Sequence, residues 1–151
     1  MATAKKTVFD PAAREELRRR MERVRPETRP LWGKMNAPQM LAHLNSALMM
    51  GLGELETVPK RSPLANPLMR WLVIYALPWP RGTPTAPELL AAPTGDWDAE
   101  LARFRDLLDR TGTRPPAGEW PRHPAFDVMT GKQWGDLTYR HVDHHLRQFG
   151  V

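Results

Sequence analysis

The chain of 151 residues contains no cysteine. Disulfide bonds, thiolate metal ligands and a cysteine nucleophile are therefore excluded, and the composition is consistent with a reducing compartment. A chain of this length can bury an ordinary core without a disulfide or a structural metal, so a metal bound here would serve function rather than folding. We expect one domain over residues 10–151, preceded by an N-terminal tail over 1–9.

Long apolar runs are also absent. The strongest run, residues 71–77, is much shorter than the roughly 20 residues of a transmembrane helix, and it stops at Pro78. The first nine residues lack the apolar core of a signal peptide. The sequence thus predicts a cytoplasmic protein that does not bind a membrane. Residues 71–77 are expected to be buried or at an interface, and a homodimer formed through 68–79 is one expectation.

The alternation of polar and apolar residues that marks β-strands is missing, and no internal repeat is present. Helix signals are frequent instead. Asp10 precedes a proline, Asn36 and Thr130 each begin a capping box with a glutamine three residues later, and Asp96 precedes an amphipathic stretch. These signals predict helices over about 11–25, 37–50, 65–77 and 97–110, the last of these ended by Gly112, and a final helix after Thr130.

The predicted fold is all-α. Four of the predicted helices suit a four-helix bundle, and the long crossover contains an extra helix at about 65–77. The irregular stretch 78–93, which follows that helix, holds five prolines. Such a crossover allows the next helix to start at either end of the bundle.

The formal net charge is +5, and much of the excess lies on the first predicted helix. This helix interleaves Arg14, Arg18, Arg19, Arg20, Arg23 and Arg25 with Glu15, Glu16 and Glu22. The pattern is typical of a solvated helix face with i,i+4 ion pairs, and no nucleic-acid motif accompanies it, so nucleic acid is not the expected partner. The alternative is a non-catalytic stress-response module whose first helix binds nucleic acid or an acidic partner.

Three of the five histidines lie close together near the C-terminus. On a helix, His141 and His145 are about 40° apart and one turn along the axis, so both imidazoles can bind one metal ion. His144 lies about 60° to the other side of His141, either on the same face or at its edge, and Gln148 falls within about 20° of His141. Taken alone, the cluster is better explained by favourable contacts between imidazoles and the helix C-terminus.

His43 is the candidate for a third ligand. It lies two turns after the cap at Asn36, beside an apolar stripe that includes Leu44, so its ring should face the interior and need a partner there. His123 precedes Pro124, which disfavours a helix, and we expect a loop residue that shapes the rim of a site.

In a helical bundle, His43 and the pair formed by His141 and His145 can face one another across the core. Three imidazoles on a four-coordinate metal leave one position open for water or a substrate thiolate. Imidazole suits zinc, nickel, iron and copper alike. The sequence therefore predicts a divalent metal cofactor, with zinc, nickel or iron as the main candidates, and a small-molecule substrate.

Two segments resemble the DinB/YfiT-like superfamily of metal-dependent helical-bundle enzymes. They are Pro-Gln-Met-Leu-Ala-His at 38–43 and Tyr-Arg-His-Val-Asp-His-His-Leu-Arg-Gln at 139–148. The segments His-Pro-Ala-Phe at 123–126, Thr-Gly-Lys-Gln-Trp-Gly at 130–135 and His-His-Leu-Arg-Gln-Phe-Gly at 144–150 look like one branch of largely uncharacterised function. The length and the helix order of the whole chain also fit, whereas 53–95 shows no match.

The resemblance implies a metal bound by one histidine of the second helix and an HxxxH pair of the last, here His43, His141 and His145. It also implies either a thiol-dependent transferase that uses a low-molecular-weight thiol or a metal-dependent hydrolase. Kinship of fold does not fix the reaction, so the substrate and the metal stay open.

Neighbouring side chains are given smaller roles. His144 and Gln148 can support the metal ligands from behind, although a helix cap or a surface position is the favoured interpretation of Gln148. Large apolar residues are expected in the core or in a dimer contact rather than around a ligand. These residues are Met49, Met50, Trp71 and Trp79.

Overall fold

The computed structural model describes residues 5–81 and 94–151. Within these ranges the chain forms five α-helices: α1 (Pro11–Met21), α2 (Ala37–Gly51), α3 (Pro67–Trp71), α4 (Trp97–Thr113) and α5 (Gly131–Gln148). A 3-10 turn (Pro63–Ala65) precedes α3, and a π-helix (Leu72–Ala76) follows it. The described residues include no β-strand, so the prediction of an all-helical protein is confirmed. None of their helices is both long and apolar enough to cross a bilayer.

The four predicted helix caps are confirmed. The Asp10 side chain accepts a hydrogen bond from the Ala12 amide, and Asp96 caps α4 in the same manner. Asn36 and Thr130 each form the predicted reciprocal capping box with the glutamine three residues later. Each cap satisfies an amide group that has no partner within the first helical turn, which fixes where the helix begins.

Two of the predicted helix ends are wrong. α1 ends at Met21 instead of residue 25. After Met21 the chain forms i→i+3 hydrogen bonds. α4 passes through Gly112 and ends at Thr113. A Cβ atom at Gly112 would lie 2.3 Å from Cδ of Arg14. The glycine therefore allows α1 and α4 to pack closely and does not stop the helix.

The segment 63–77 differs most from its prediction. In place of one helix over 65–77, the structure has the 3-10 turn, the short α3 and the π-helix in succession. Asn66 follows the 3-10 turn and caps α3 with its side chain, which interrupts the predicted helix. The segment is also less buried than expected, since Leu68 and Trp71 are 65% and 49% exposed. Most of the predicted irregular stretch, 82–93, lies outside the described residues.

Four long helices, α1, α2, α4 and α5, enclose the main core. α2 packs on α4, α1 packs on both α4 and α5, and α5 packs on α2. The buried side chains of this core include Leu17, Leu41, Leu44, Phe104, Leu108 and Leu146. A second apolar cluster joins the end of α2 to the start of α5 and includes Met50, Phe126, Met129 and Trp134. α2 and α5, which carry four of the histidines, are therefore neighbours.

Arg14 corrects the prediction of a fully solvated face on α1. Its side chain is buried, and its guanidinium donates to the carbonyls of Val8 at 2.6 Å and Gly112 at 3.1 Å. These two carbonyls lie in the N-terminal segment and near the end of α4. Arg14 thus connects three parts of the chain from the interior.

Other arginines of α1 form ion pairs with neighbouring helices. Arg18 contacts Asp109 of α4 at 3.1 Å, and Arg20 contacts Asp143 of α5 at 2.7 Å. Arg20 also forms the predicted i,i+4 pair with Glu16 at 3.3 Å. Part of the positive charge that the sequence assigned to a solvated face therefore holds α1 against α4 and α5.

Replacement of Arg14 tests its role in the interior. Arg14→Met leaves two buried carbonyls without their donor, so we expect the free energy of unfolding to fall by about 1.5–3 kcal/mol. Arg19→Met is the matched control, because that side chain is 70% exposed on the same helix, and its effect should stay within about 0.5 kcal/mol. Urea unfolding followed by circular dichroism measures both. Equal effects would contradict the role given to Arg14.

Candidate metal centre

Three histidines from two helices meet in the structure. His43 lies on α2, and His141 and His145 lie one turn apart on α5. One ring nitrogen from each lies within 4.8 Å of the others, and the Nε2 atoms of His43 and His141 are 3.0 Å apart. His43 is buried, and the other two are half-buried. The three histidines singled out from the sequence thus form one cluster that can hold a metal ion.

The spacing of the three rings suits a single ion. Their centroids are 4.8 to 4.9 Å apart, and the interplanar angles of 71° to 89° mean that no two rings stack. Imidazole nitrogens about 2.0–2.1 Å from a tetrahedral zinc ion are about 3.3 Å from one another, which places the ring centroids about 5 Å apart. The cluster therefore needs little rearrangement to accept an ion.

Gln148 holds His145 from the side opposite the cluster. Its Oε1 lies 2.8 Å from Nδ1 of His145, and its Nε2 donates to the carbonyl of Trp32 at 3.0 Å. In this arrangement Nδ1 of His145 carries the proton, which leaves Nε2 as the ligand atom. Gln148 is 6% exposed. The interpretation of Gln148 as a cap or surface residue is therefore wrong.

Burial favours the neutral form of His141 and His145. It lowers the pKa of His141 well below the usual value, and the neighbouring histidines lower it further. Burial likewise lowers the pKa of His145 to about 3, with a smaller contribution from His43. Because the neutral imidazole is the form that binds metals, protons do not compete for these rings at neutral pH.

His144 lies beside the cluster and is not part of it. Its ring centroid is 5.4 Å from that of His145, and the indoles of Trp32 and Trp79 are 5.9 and 5.6 Å away. Burial lowers the pKa of His144, although the charge of Asp143 opposes this effect. The structure thus places His144 at the edge of the histidine face. Trp79 lines the cavity and also packs against the second apolar cluster, so its interpretation as a core residue is confirmed in part.

Arg140 fixes the position of Trp79. Its guanidinium donates to the carbonyls of Val73 at 2.6 Å and Ile74 at 2.9 Å, and also to that of Leu77. It lies 5.0 Å from the centre of the Trp79 ring, whose N–H donates to Val73 at 2.8 Å. Neither Arg140 nor Trp79 was predicted at the site. The only sequence signal for Arg140 is its position next to the histidines. A π-helix is often found at a functional site. Here the π-helix carbonyls of Val73 and Ile74 accept hydrogen bonds from Arg140 and Trp79.

His123 is a loop residue, as predicted, and it forms part of a wall. Its Nδ1 accepts hydrogen bonds from the amides of Ala125 at 3.0 Å and Phe126 at 3.2 Å. The ring packs against Phe126 and Trp134, and burial lowers its pKa to about 4. His123 therefore shapes the site from the loop before α5, while the candidate ligands lie on α2 and α5.

A cavity of about 960 Å³ opens onto the histidine cluster. All five histidines line it, together with side chains from α2, α5 and the loops on either side of α2. This volume is typical of a site that binds a small organic molecule. The cluster is thus accessible to a ligand of that size.

The chain is an all-helical protein with a candidate three-histidine metal centre. Residues 5–150 match the family described as "Protein of unknown function (DUF1569)", so the chain belongs to this family. No curated protein and no solved structure matches the chain. Because the family has no assigned activity, the geometry of the site is the basis for a functional proposal.

The low pKa of His123 predicts a pH-dependent stability of the metal-free protein. Its pKa falls from 6.5 in an unfolded chain to about 4 on burial. The contribution of the neutral ring is therefore complete above pH 6.5 and is lost as the pH falls towards 4. His123→Asn keeps an oxygen acceptor for the amides of Ala125 and Phe126 but does not titrate.

Urea unfolding in EDTA at pH 7 and pH 5 measures this effect. Between these two values, the free energy of unfolding should fall by about 1–2 kcal/mol more in the native protein than in His123→Asn. The remaining histidines are present in both proteins, so their contributions cancel. Equal losses in the two proteins would contradict a buried, neutral His123.

Proposed function

We propose that the protein is a metal-dependent enzyme that acts on a small molecule. The observation that carries this proposal is the convergence of His43, His141 and His145 beside an open cavity. Three imidazoles without a carboxylate suit zinc, nickel or iron, and a site with three protein ligands leaves room for a substrate. The packing of the four long helices supports a DinB-like four-helix bundle, in which facing helices build such sites.

The side chains around the cluster have separate tasks. His43, His141 and His145 would hold the ion, Gln148 orients His145, and Trp79 covers the cluster on the side of His144. A bound divalent metal supplies a Lewis acid that activates water or a substrate thiol at neutral pH. A thiol-dependent transferase and a hydrolase are therefore the two reaction classes that we propose.

The contacts of α1 argue against the alternative of a non-catalytic nucleic-acid module. Arg14 is buried, and Arg18 and Arg20 are engaged with acidic residues of other helices. Fewer cations are thus available on α1 for phosphate groups than the sequence suggests. A cytoplasmic location and a homodimer formed through 68–79 stay predictions.

Elemental analysis of untagged protein tests the metal site. The native chain should contain about one metal ion, and His145→Ala should contain almost none because two imidazoles are too few for tight binding. His144→Ala is the matched control, since it removes a neighbouring histidine that lies outside the cluster. It should retain the ion.

Two results would contradict the metal site. One is a native protein that binds no metal after reconstitution with zinc, nickel and ferrous iron. The other is equal metal content in His144→Ala and His145→Ala. Circular dichroism of each variant shows whether the helices are intact, so that a loss of metal is not confused with unfolding.

Variants of Gln148 test the orientation of His145. Gln148→Leu removes the acceptor for Nδ1 of His145, and metal affinity should fall about 10- to 100-fold. Gln148→Glu keeps an acceptor at that position and should lose much less affinity. Competition with a chromogenic chelator gives the dissociation constants. Similar losses in the two variants would show that the hydrogen bond to Nδ1 does not support metal binding.

A further inference from the structure

The cavity that contains the histidine cluster has cationic walls. Its charged lining residues are Lys34, Lys60 and Arg61. None of the described lining residues is an aspartate or a glutamate, although the sequence contains 17 acidic residues. Charges of one sign beside low-dielectric walls concentrate the electrostatic potential, so this cavity favours an anionic ligand.

The cations come from the two loops that flank α2. Lys34 lies on the loop before α2. The side chain of Gln148 donates to the Trp32 carbonyl of this loop. Lys60 and Arg61 lie on the loop after α2, and the Lys60 amide donates to the carbonyl of Pro124 at 3.0 Å. Backbone contacts therefore hold both loops against the cavity, and they do not use the charged ends of these side chains.

These three cations do not hold the fold together. The ion pairs of the described residues engage other lysines and arginines, among them Arg18 and Arg20 of α1. Lys34, Lys60 and Arg61 are exposed to solvent and form no ion pair within that part of the chain. An incoming anion would not have to displace an internal carboxylate from them.

The remaining wall of the cavity is largely apolar. Met50, Leu64, Phe126 and Trp134 contribute to it, and the second apolar cluster of the fold opens into the cavity here. The rings of Phe126 and Trp134 flank His123, which burial keeps neutral by lowering its pKa. This surface would cover the apolar body of a ligand and exclude water from it.

We propose that the cavity binds a small organic anion with an apolar, ring-containing body. The body lies against Phe126 and Trp134, and the acidic group faces Lys34, Lys60 and Arg61. The identification of this anion as the substrate rests on the proposed function. Its binding to the cavity walls does not depend on a metal.

Two fluorescent probes with the same apolar body separate charge from hydrophobic contact. 8-Anilinonaphthalene-1-sulfonate carries an acidic group, and N-phenyl-1-naphthylamine lacks it. Titration of the full chain in EDTA at low salt gives the Kd of each probe. We expect the anionic probe to bind about tenfold more tightly, and the preference to shrink at high salt because salt screens exposed charges.

Charge-reversal variants test whether Lys60 and Arg61 cause the preference for the anionic probe. Lys60→Glu combined with Arg61→Glu should bring the ratio of the two Kd values to about one, with the Kd of the neutral probe changed less than about twofold. Arg23→Glu combined with Arg25→Glu is the matched control, because both positions are exposed and lie outside the cavity lining. The control has the same net charge as the test variant and should keep the preference.

Two single variants make the test independent of one double substitution. Lys34→Glu, on the other loop, should reduce the preference even if the double variant does not fold. Ala47 lines the cavity on α2, and Ala47→Trp should weaken the binding of both probes by filling space. Equal Kd values for the two probes in the native chain, or equal losses in the test and control double variants, would overturn the proposal.

Metal analysis of the same proteins distinguishes this proposal from the proposed function. A chain that prefers the anionic probe but binds no metal would support the anion site and refute the metalloenzyme. A chain that binds metal without a preference for the anionic probe would support the metal site and refute the anion site. Lys60→Glu with Arg61→Glu should keep its metal, since neither residue belongs to the histidine cluster.

Discussion

The packing of α2 against α5 is the constraint on which the site depends. The apolar faces of both helices enter the core, and the same packing brings His43 against His141 and His145. Buried imidazoles lose hydration, so they need one another, a hydrogen-bond partner or a metal. The arrangement that buries the apolar residues therefore also creates a nitrogen-lined cluster beside a cavity. The packing that forms the core thus also forms the site.

The side chains around the cluster are held in turn by the backbone. Gln148 connects His145 to the carbonyl of Trp32, and Arg140 connects α5 to the π-helix and Trp79. These contacts arrange one wall of the cavity from segments that are far apart in sequence. The cavity is thus lined by the loop before α2, the π-helix and α5.

The parts of the fold with local signals were predictable. The caps at Asn36 and Thr130 and the apolar stripe of α2 gave the start of each helix and the inward direction of His43. The i,i+4 spacing of His141 and His145 gave the pair on α5. Each of these signals involves residues within two helical turns, where geometry is fixed by the helix itself.

Tertiary contacts explain what could not be predicted. Arg14 resembles its exposed neighbours in sequence, and its burial depends on the approach of Val8 and Gly112. The role of Gln148 depends on the Trp32 carbonyl, which is more than a hundred residues away. The helix at 65–77 was mispredicted because its apolar composition does not report the side-chain cap of Asn66 or the donors that Arg140 supplies.

The binding of one metal ion to His43, His141 and His145 can be observed by anomalous diffraction. Data would be collected at the zinc absorption edge from crystals grown with zinc. We expect a single strong peak about 2.0–2.1 Å from one ring nitrogen of each of the three histidines. A peak bound elsewhere, or no peak in a well-ordered structure with zinc in excess, would contradict it.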